Sequence, residues 1–118
     1  MKKIVMIALI TGMFAFTFST SNAQLIKTSL TLIIRDGAGN TVDKASVKLF
    51  EKEEDYLKEI NPVAEGLTDK NGNVKFKALK SIAYYVLASK GDMDNAGGGE
   101  LIGKLEDQKF NKVTVVIQ

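Results

Sequence analysis

From Leu30 onward the apolar side chains of this chain return at every second position, in short runs broken by turn residues. A period of two belongs to extended backbone with one buried face, because successive side chains of a strand point to opposite sides. Leu30, Leu32 and Ile34 alternate with Thr31, Ile33 and Arg35, and Ala45, Val47 and Leu49 alternate with Ser46 and Lys48. Val74, Phe76 and Ala78 alternate with Lys75 and Lys77, Tyr84, Val86 and Ala88 with Tyr85, Leu87 and Ser89, and Val113, Val115 and Ile117 with Lys112, Thr114 and Val116. The first of each set is predicted to face a core. Turn signals stand between the runs: "DGAGN" at Asp36 to Asn40 and "TDKNGN" at Thr68 to Asn73, where glycine accepts the positive φ that tight reversals demand.

A strand over Val63 to Thr68, whose inward face the alternation does not assign, and a short one around Leu101 to Leu105 bring the total to seven. Seven short strands with turns about every 8 to 12 residues predict an all-β antiparallel sandwich. One segment departs from the rhythm. In "EKEEDYLKEINP", Glu51 to Pro62, the residues Tyr56, Leu57 and Ile60 sit at helical spacing among charges, which predicts a surface excursion with one or two helical turns ended at Asn61-Pro62.

The start of the chain follows a different grammar. Lys2 and Lys3 precede an uncharged apolar run from Ile4 to Phe18, and Ser21 and Ala23 supply small residues at a cleavage position. This pattern predicts a secretory signal peptide over residues 1–23, cut after Ala23 to leave Gln24 first. The apolar run is shorter than the roughly 20 residues that span hydrocarbon, so the mature protein is expected not to cross the membrane. Export to the periplasm or the cell exterior is the expected fate.

Charge and composition then remove whole classes of function. The chain holds 16 Lys plus Arg against 14 Asp plus Glu, and the excess is Lys2 and Lys3, so residues 24–118 are formally neutral. Their lysines are scattered, which gives no basic footprint for nucleic acid. Histidine and cysteine are both absent. The common general base, the Ser-His and Cys-His pairs, the usual zinc ligands and any disulfide are absent with them. No catalytic residue is assigned, and the expected protein is not an enzyme and carries no cofactor.

Three segments carry the likeness to a known family: "LTLIIRDGAGNTVDKASVKLF" (Leu30 to Phe50), "LTDKNGNVKFKAL" (Leu67 to Leu79) and "YYVLASKGD" (Tyr84 to Asp92). Their order of strand, D-x-x-G-N, strand, T-D-x-x-G and V-x-F-x-x-L resembles the carboxypeptidase regulatory-like family, the transthyretin-like (prealbumin-like) or Cna protein B-type sandwiches of exported bacterial proteins. The resemblance implies a seven-stranded Greek-key sandwich over residues 24–118 that serves as a spacer, stalk or binding module. Some members close a Lys-Asn isopeptide bond between first and last strands. Lys27 and Asn111 lie at the right ends of this chain, but the inward positions of the first strand hold no lysine, so no such bond is expected.

Two further motifs are tempting. Gly98, Gly103 and Lys104 nearly reproduce the phosphate-loop pattern, yet Leu105 replaces the hydroxyl residue that holds magnesium and only Glu106 to Asn111 separates it from the last strand, too short for the required helix. No nucleotide is expected there. Asp69, Asn71 and Asn73, and again Asp92, Asp94 and Asn95, place oxygen donors at alternate positions as calcium loops do, but without the closing bidentate Glu and in residue types that turns prefer. No metal site is assigned.

What remains is a recognition surface. Loops on a rigid sandwich are where such folds meet partners. The polar, glycine-rich stretch Asp92, Met93, Asp94, Asn95, Gly97, Gly98 and Gly99 is the expected contact loop, with Met93 exposed, for a protein or glycan of the cell envelope. A structural spacer or assembly subunit pairing through a strand edge is the alternative.

Overall fold

The structure, a computed structural model, describes residues 27–97 and 99–118, so the predicted signal peptide, its cleavage site and Gly98 lie outside the described residues. Among these residues eight strands and one short helix follow in order: β1 (Ser29–Asp36), β2 (Ser46–Phe50), α1 (Glu53–Lys58), β3 (Ala64–Leu67), β4 (Asn73–Phe76), β5 (Tyr84–Lys90), β6 (Met93–Asp94), β7 (Leu101–Ile102) and β8 (Phe110–Ile117). They form two sheets. One runs β4-β1-β8, the other β3-β2-β5-β6, with β7 pairing beside β6 on the same side of β5. The architecture is the expected all-β sandwich, with one strand more than the seven predicted, because Met93–Asp94 pairs with Ser89 and Lys90 inside what reads as a loop.

The antiparallel expectation is corrected at one place. β1 and β8 run parallel, in register from Ser29 beside Phe110 to Asp36 beside Ile117. Neighbouring strands in sequence reverse through a turn and come out antiparallel, whereas the first and last strands meet across the whole sandwich and no turn fixes their sense.

Most of the core consists of residues that the two-residue period selects, joined by Val42, Phe50, Ile102 and Leu105. Leu30, Leu32, Ile34, Ala45, Val47, Leu49, Val86, Ala88 and Ile117 are fully buried, with Tyr84, Val115, Phe76 and Val74 nearly so. Ala78 is the exception: β4 stops at Phe76, and Ala78 stands exposed with φ 58 as the chain turns away. Leu79 takes the packing position instead.

β3 resisted assignment for a physical reason. It turns its small residues inward, Ala64 and Gly66, while Val63 and Leu67 are exposed. The side chains of Val74 and Phe76 close over Gly66, where an added Cβ would lie 3.1 Å from Val74 Cγ2. The bulk at this corner comes from β4, so β3 must be thin.

Two turns use the same device. In each, an aspartate Oδ1 accepts hydrogen bonds from backbone N–H groups two and four residues on: Asp36 from Ala38 (3.0 Å) and Asn40 (2.9 Å), Asp69 from Asn71 (2.8 Å) and Asn73 (3.0 Å). In each, the glycine three residues after the aspartate has positive φ, 90° at Gly39 and 77° at Gly72, and donates back to the aspartate carbonyl. This is the three-residue hairpin geometry in which a glycine follows a tight turn. Asp69, one of the residues that suggested calcium, therefore has its Oδ1 engaged with backbone.

Thr68 joins the sheets. Its buried hydroxyl donates to the Val42 carbonyl at 2.6 Å and accepts from Ala45 N–H at 2.8 Å, satisfying the backbone where the chain crosses from β1 to β2. Tyr84 ties the start of β5, its hydroxyl accepting from Lys80 N–H at 2.9 Å. The excursion after β2 is helical for six residues, Glu53–Lys58, and its Tyr56 ring lies 5.9 Å from Phe50 and 5.7 Å from Tyr85, which shields the outer side of the second sheet there. Among the described residues no helix is long and apolar enough to cross a membrane.

Candidate interaction surface

The predicted contact loop is built differently from its sequence expectation. Asp92 is exposed, but Met93 packs against the core and is not the exposed residue predicted. Asp94 lies in β6 and exchanges backbone bonds with Gln118, donating at 3.4 Å and accepting at 3.0 Å. Gly97 and Gly99 are exposed with φ of 80° and 79°, and an added Cβ would meet nothing within 4 Å at either, so they serve the path of the chain. Gly98 lies outside the described residues.

Asn95 is the chief correction, being only 2% exposed. β6 and β7 both pair with β5 and leave a gap between them, which the Asn95 side chain fills. Its Oδ1 accepts from Ala88 N–H at 3.0 Å, its Nδ2 donates to the Val86 carbonyl at 2.9 Å, and its own N–H donates to the Ala88 carbonyl at 3.2 Å. A side-chain amide carries one donor and one acceptor side, as a peptide group does, so it can continue a strand ladder where backbone is missing. Asparagine reads as a turn residue in sequence, and this role has no periodic signal. Asn95→Ala is expected to destabilise by about 2 to 4 kcal/mol, because a buried N–H and a buried carbonyl both lose their partners. Chemical denaturation checks it. A change below about 0.5 kcal/mol would return Asn95 to the surface role.

Around this loop the acids face an aromatic ring. The Tyr56 hydroxyl is pushed up to about 12, by burial first and then by the neighbouring Glu100 carboxylate, with Asp94 and Glu59 adding to it. Glu100 Oε2 also accepts from Gly97 N–H at 2.6 Å. Glu100 thus anchors the loop to its own backbone.

The phosphate-like run ends in packing. Leu105 is buried, donates its N–H to the Ile82 carbonyl at 3.2 Å and accepts from the Ser81 hydroxyl at 2.5 Å, and a turn, not a helix, follows Lys104. Asn111 is likewise engaged: its Nδ2 donates to the carbonyls of Ser29 and Glu106, both at 3.0 Å, and its Oδ1 accepts from Glu106 N–H at 2.8 Å. Lys27 is exposed.

The least covered feature is the outer edge of β8, which sequence patterning did not single out. This strand has eight residues and pairs only on its β1 side among the described residues, whereas the edges β3 and β4 have four residues each. Two observations fix which backbone groups point outward. Ser29 N–H donates to the Lys109 carbonyl at 3.1 Å, which turns the odd-numbered residues toward β1, and Gln118 exchanges its bonds with Asp94 on the opposite side. Backbone groups alternate in direction along a strand. Phe110, Lys112, Thr114 and Val116 therefore direct their N–H and carbonyl groups to the open edge. Their side chains are all exposed, Phe110 by 70% and Val116 by 44%, with the Lys75 ammonium 4.9 Å from the Phe110 ring centre.

No protein-family model matches the chain, and no curated protein matches it in sequence. Solved structures share the fold. The group B streptococcus pilus 2b backbone protein superposes with a TM-score of 0.57 at 15% identity, over 77% of this chain and 40% of that one. The TIE protein of Bacillus anthracis gives 0.55 at 18% identity over 79% and 16% of the two chains. The major pilin SpaD of Corynebacterium diphtheriae gives 0.53 at 18% identity over 77% and 30%. This chain spans less than half the length of each, and what it has in common with them is a two-sheet β-sandwich.

Proposed function

We propose that this chain is an exported, non-enzymatic structural module that assembles at the cell surface by offering the outer edge of β8 as a docking strand. The observation that carries this reading is the open edge itself: four alternate residues, Phe110, Lys112, Thr114 and Val116, whose backbone has no strand partner among the described residues, on a strand held by β1. An unpaired edge is a template for strand addition unless charge, proline or a covering element blunts it. Here the edge from Phe110 to Val116 has no proline and a single charge, Lys112. The fold shared with pilus backbone proteins supports an assembly role over recognition through the Asp92 to Gly99 loop, whose Met93 and Asn95 are held by the core and the β5 ladder.

Thr114→Pro tests it. The N–H lost is one that points away from β1, so the β1 ladder keeps its bonds and the monomer should fold. The variant is expected to disappear from high-mass envelope extracts in which the native protein is found, and the native protein in the same extract should begin at Gln24 by intact mass. An unchanged size distribution for Thr114→Pro would defeat the assembly reading.

A further inference from the structure

Resting on that reading, we infer that the occupant of the β8 edge is a second copy of this chain, paired antiparallel about a two-fold axis through Val113. The four edge-facing residues, 110, 112, 114 and 116, are symmetric about position 113. In an antiparallel pair centred there, Lys112 meets Thr114 of the copy and Phe110 meets Val116, each twice, and every outward N–H and carbonyl of the four finds a mate.

Neighbouring registers fail on named residues. Centring the pair on Lys112 sets that lysine directly against its own copy, and like charges directly opposite are destabilising. Centring it on Thr114 asks Phe110 to pair with Gln118, whose backbone is already bonded to Asp94. A shift by one residue would place core-facing side chains opposite solvent-facing ones. Parallel, in-step pairing stacks Lys112 beside Lys112.

Centring the pair on Asn111 or Val115 pairs only two of the four edge-facing residues with each other, and the side chains agree with the register on Val113. Phe110 and Val116 are the exposed large hydrophobics of β8, and they lie on the same outer face, three residues either side of Val113. Pairing across the axis brings each against the other, an aromatic against a β-branched side chain, which is a favourable cross-strand pair. The two three-stranded sheets then become one, ordered β4-β1-β8-β8-β1-β4. The contact is isologous, so this edge closes as a dimer and does not itself propagate, and the dimer is the unit that enters the larger assembly.

The register makes a charge-reversal test possible at an exposed site. Sedimentation equilibrium of the purified protein, expressed from the full chain, should give a monomer–dimer equilibrium. Thr114→Lys, which sets lysine against Lys112 twice per dimer, should raise the dissociation constant about tenfold, and Thr114→Glu, which creates two opposite-charge pairs, should lower it. In a chain that has no cysteine, Val113→Cys should oxidise to a covalent dimer, since residues facing each other on the axis have Cβ atoms about 4.5 to 5.5 Å apart. A monomer at every concentration, or equal effects of the lysine and glutamate changes, would overturn self-pairing. Either result leaves the assembly reading to the Thr114→Pro extract, where a different protein would be the partner lost.

Discussion

Phe76→Ala is expected to cost about 3 to 5 kcal/mol, the usual penalty for removing a buried aromatic ring that its surroundings cannot replace. The surroundings here are stiff. Phe76 is 7% exposed and reaches across the sandwich onto Gly66 of β3, a backbone surface with no side chain to collapse into the void. Its neighbour Lys75 points outward over the Phe110 ring, so Lys75→Ala should lose only an exposed cation–π contact, about 0.5 to 1 kcal/mol. Denaturant midpoints at constant slope decide it. Equal effects from the two changes would mean that β4 is out of phase.

Gly72→Ala should be nearly as damaging, at about 3 kcal/mol. Two costs combine: φ of 77° is a left-handed conformation that an L side chain adopts at about 1 to 2 kcal/mol, and the new Cβ would sit 2.7 Å from the Ile34 carbonyl oxygen. Relief of that clash must open the bond from Ile34 N–H to the Gly72 carbonyl, now 2.8 Å, for about 1 kcal/mol more. Gly39, at the matching place in the other turn, has no atom within 4 Å of an added Cβ. Gly39→Ala therefore reports the conformational cost alone, and the difference between the two variants isolates the clash. If both lose the same stability, the close approach at Gly72 plays no part.

Much of this fold is legible because phase decides burial. β1, β2, β5 and β8 each place one parity against the core, as Leu30, Leu32 and Ile34, Val47 and Leu49, Tyr84 and Val86, and Val115 and Ile117 show, while Ile33, Leu87, Phe110 and Val116 stand on the other. β3 inverts the rule, with small residues inside and Val63 and Leu67 outside, because the volume at that corner belongs to Phe76 on another strand. Sequence periodicity records what a residue is and not how much room its partner leaves. Asn95 escaped for a related reason: its amide substitutes for backbone, and no spacing announces that. The open edge of β8 could not be read either, since an edge is a property of strand order, and the parallel neighbour of β8 lies about eighty residues earlier.

The parallel pairing of β1 with β8 also settles how the domain would answer to tension. Both strands run the same way, so the start of β1 and the finish of β8 lie at opposite ends of the pair. Drawing those two points apart slides one strand along the other, and every hydrogen bond between them is strained at the same moment. An antiparallel partner pulled from adjacent termini would instead peel open one bond at a time. With the same number of bonds, the sliding geometry yields only when the whole ladder ruptures together, which makes the two strands a mechanical clamp across the full length of the sandwich.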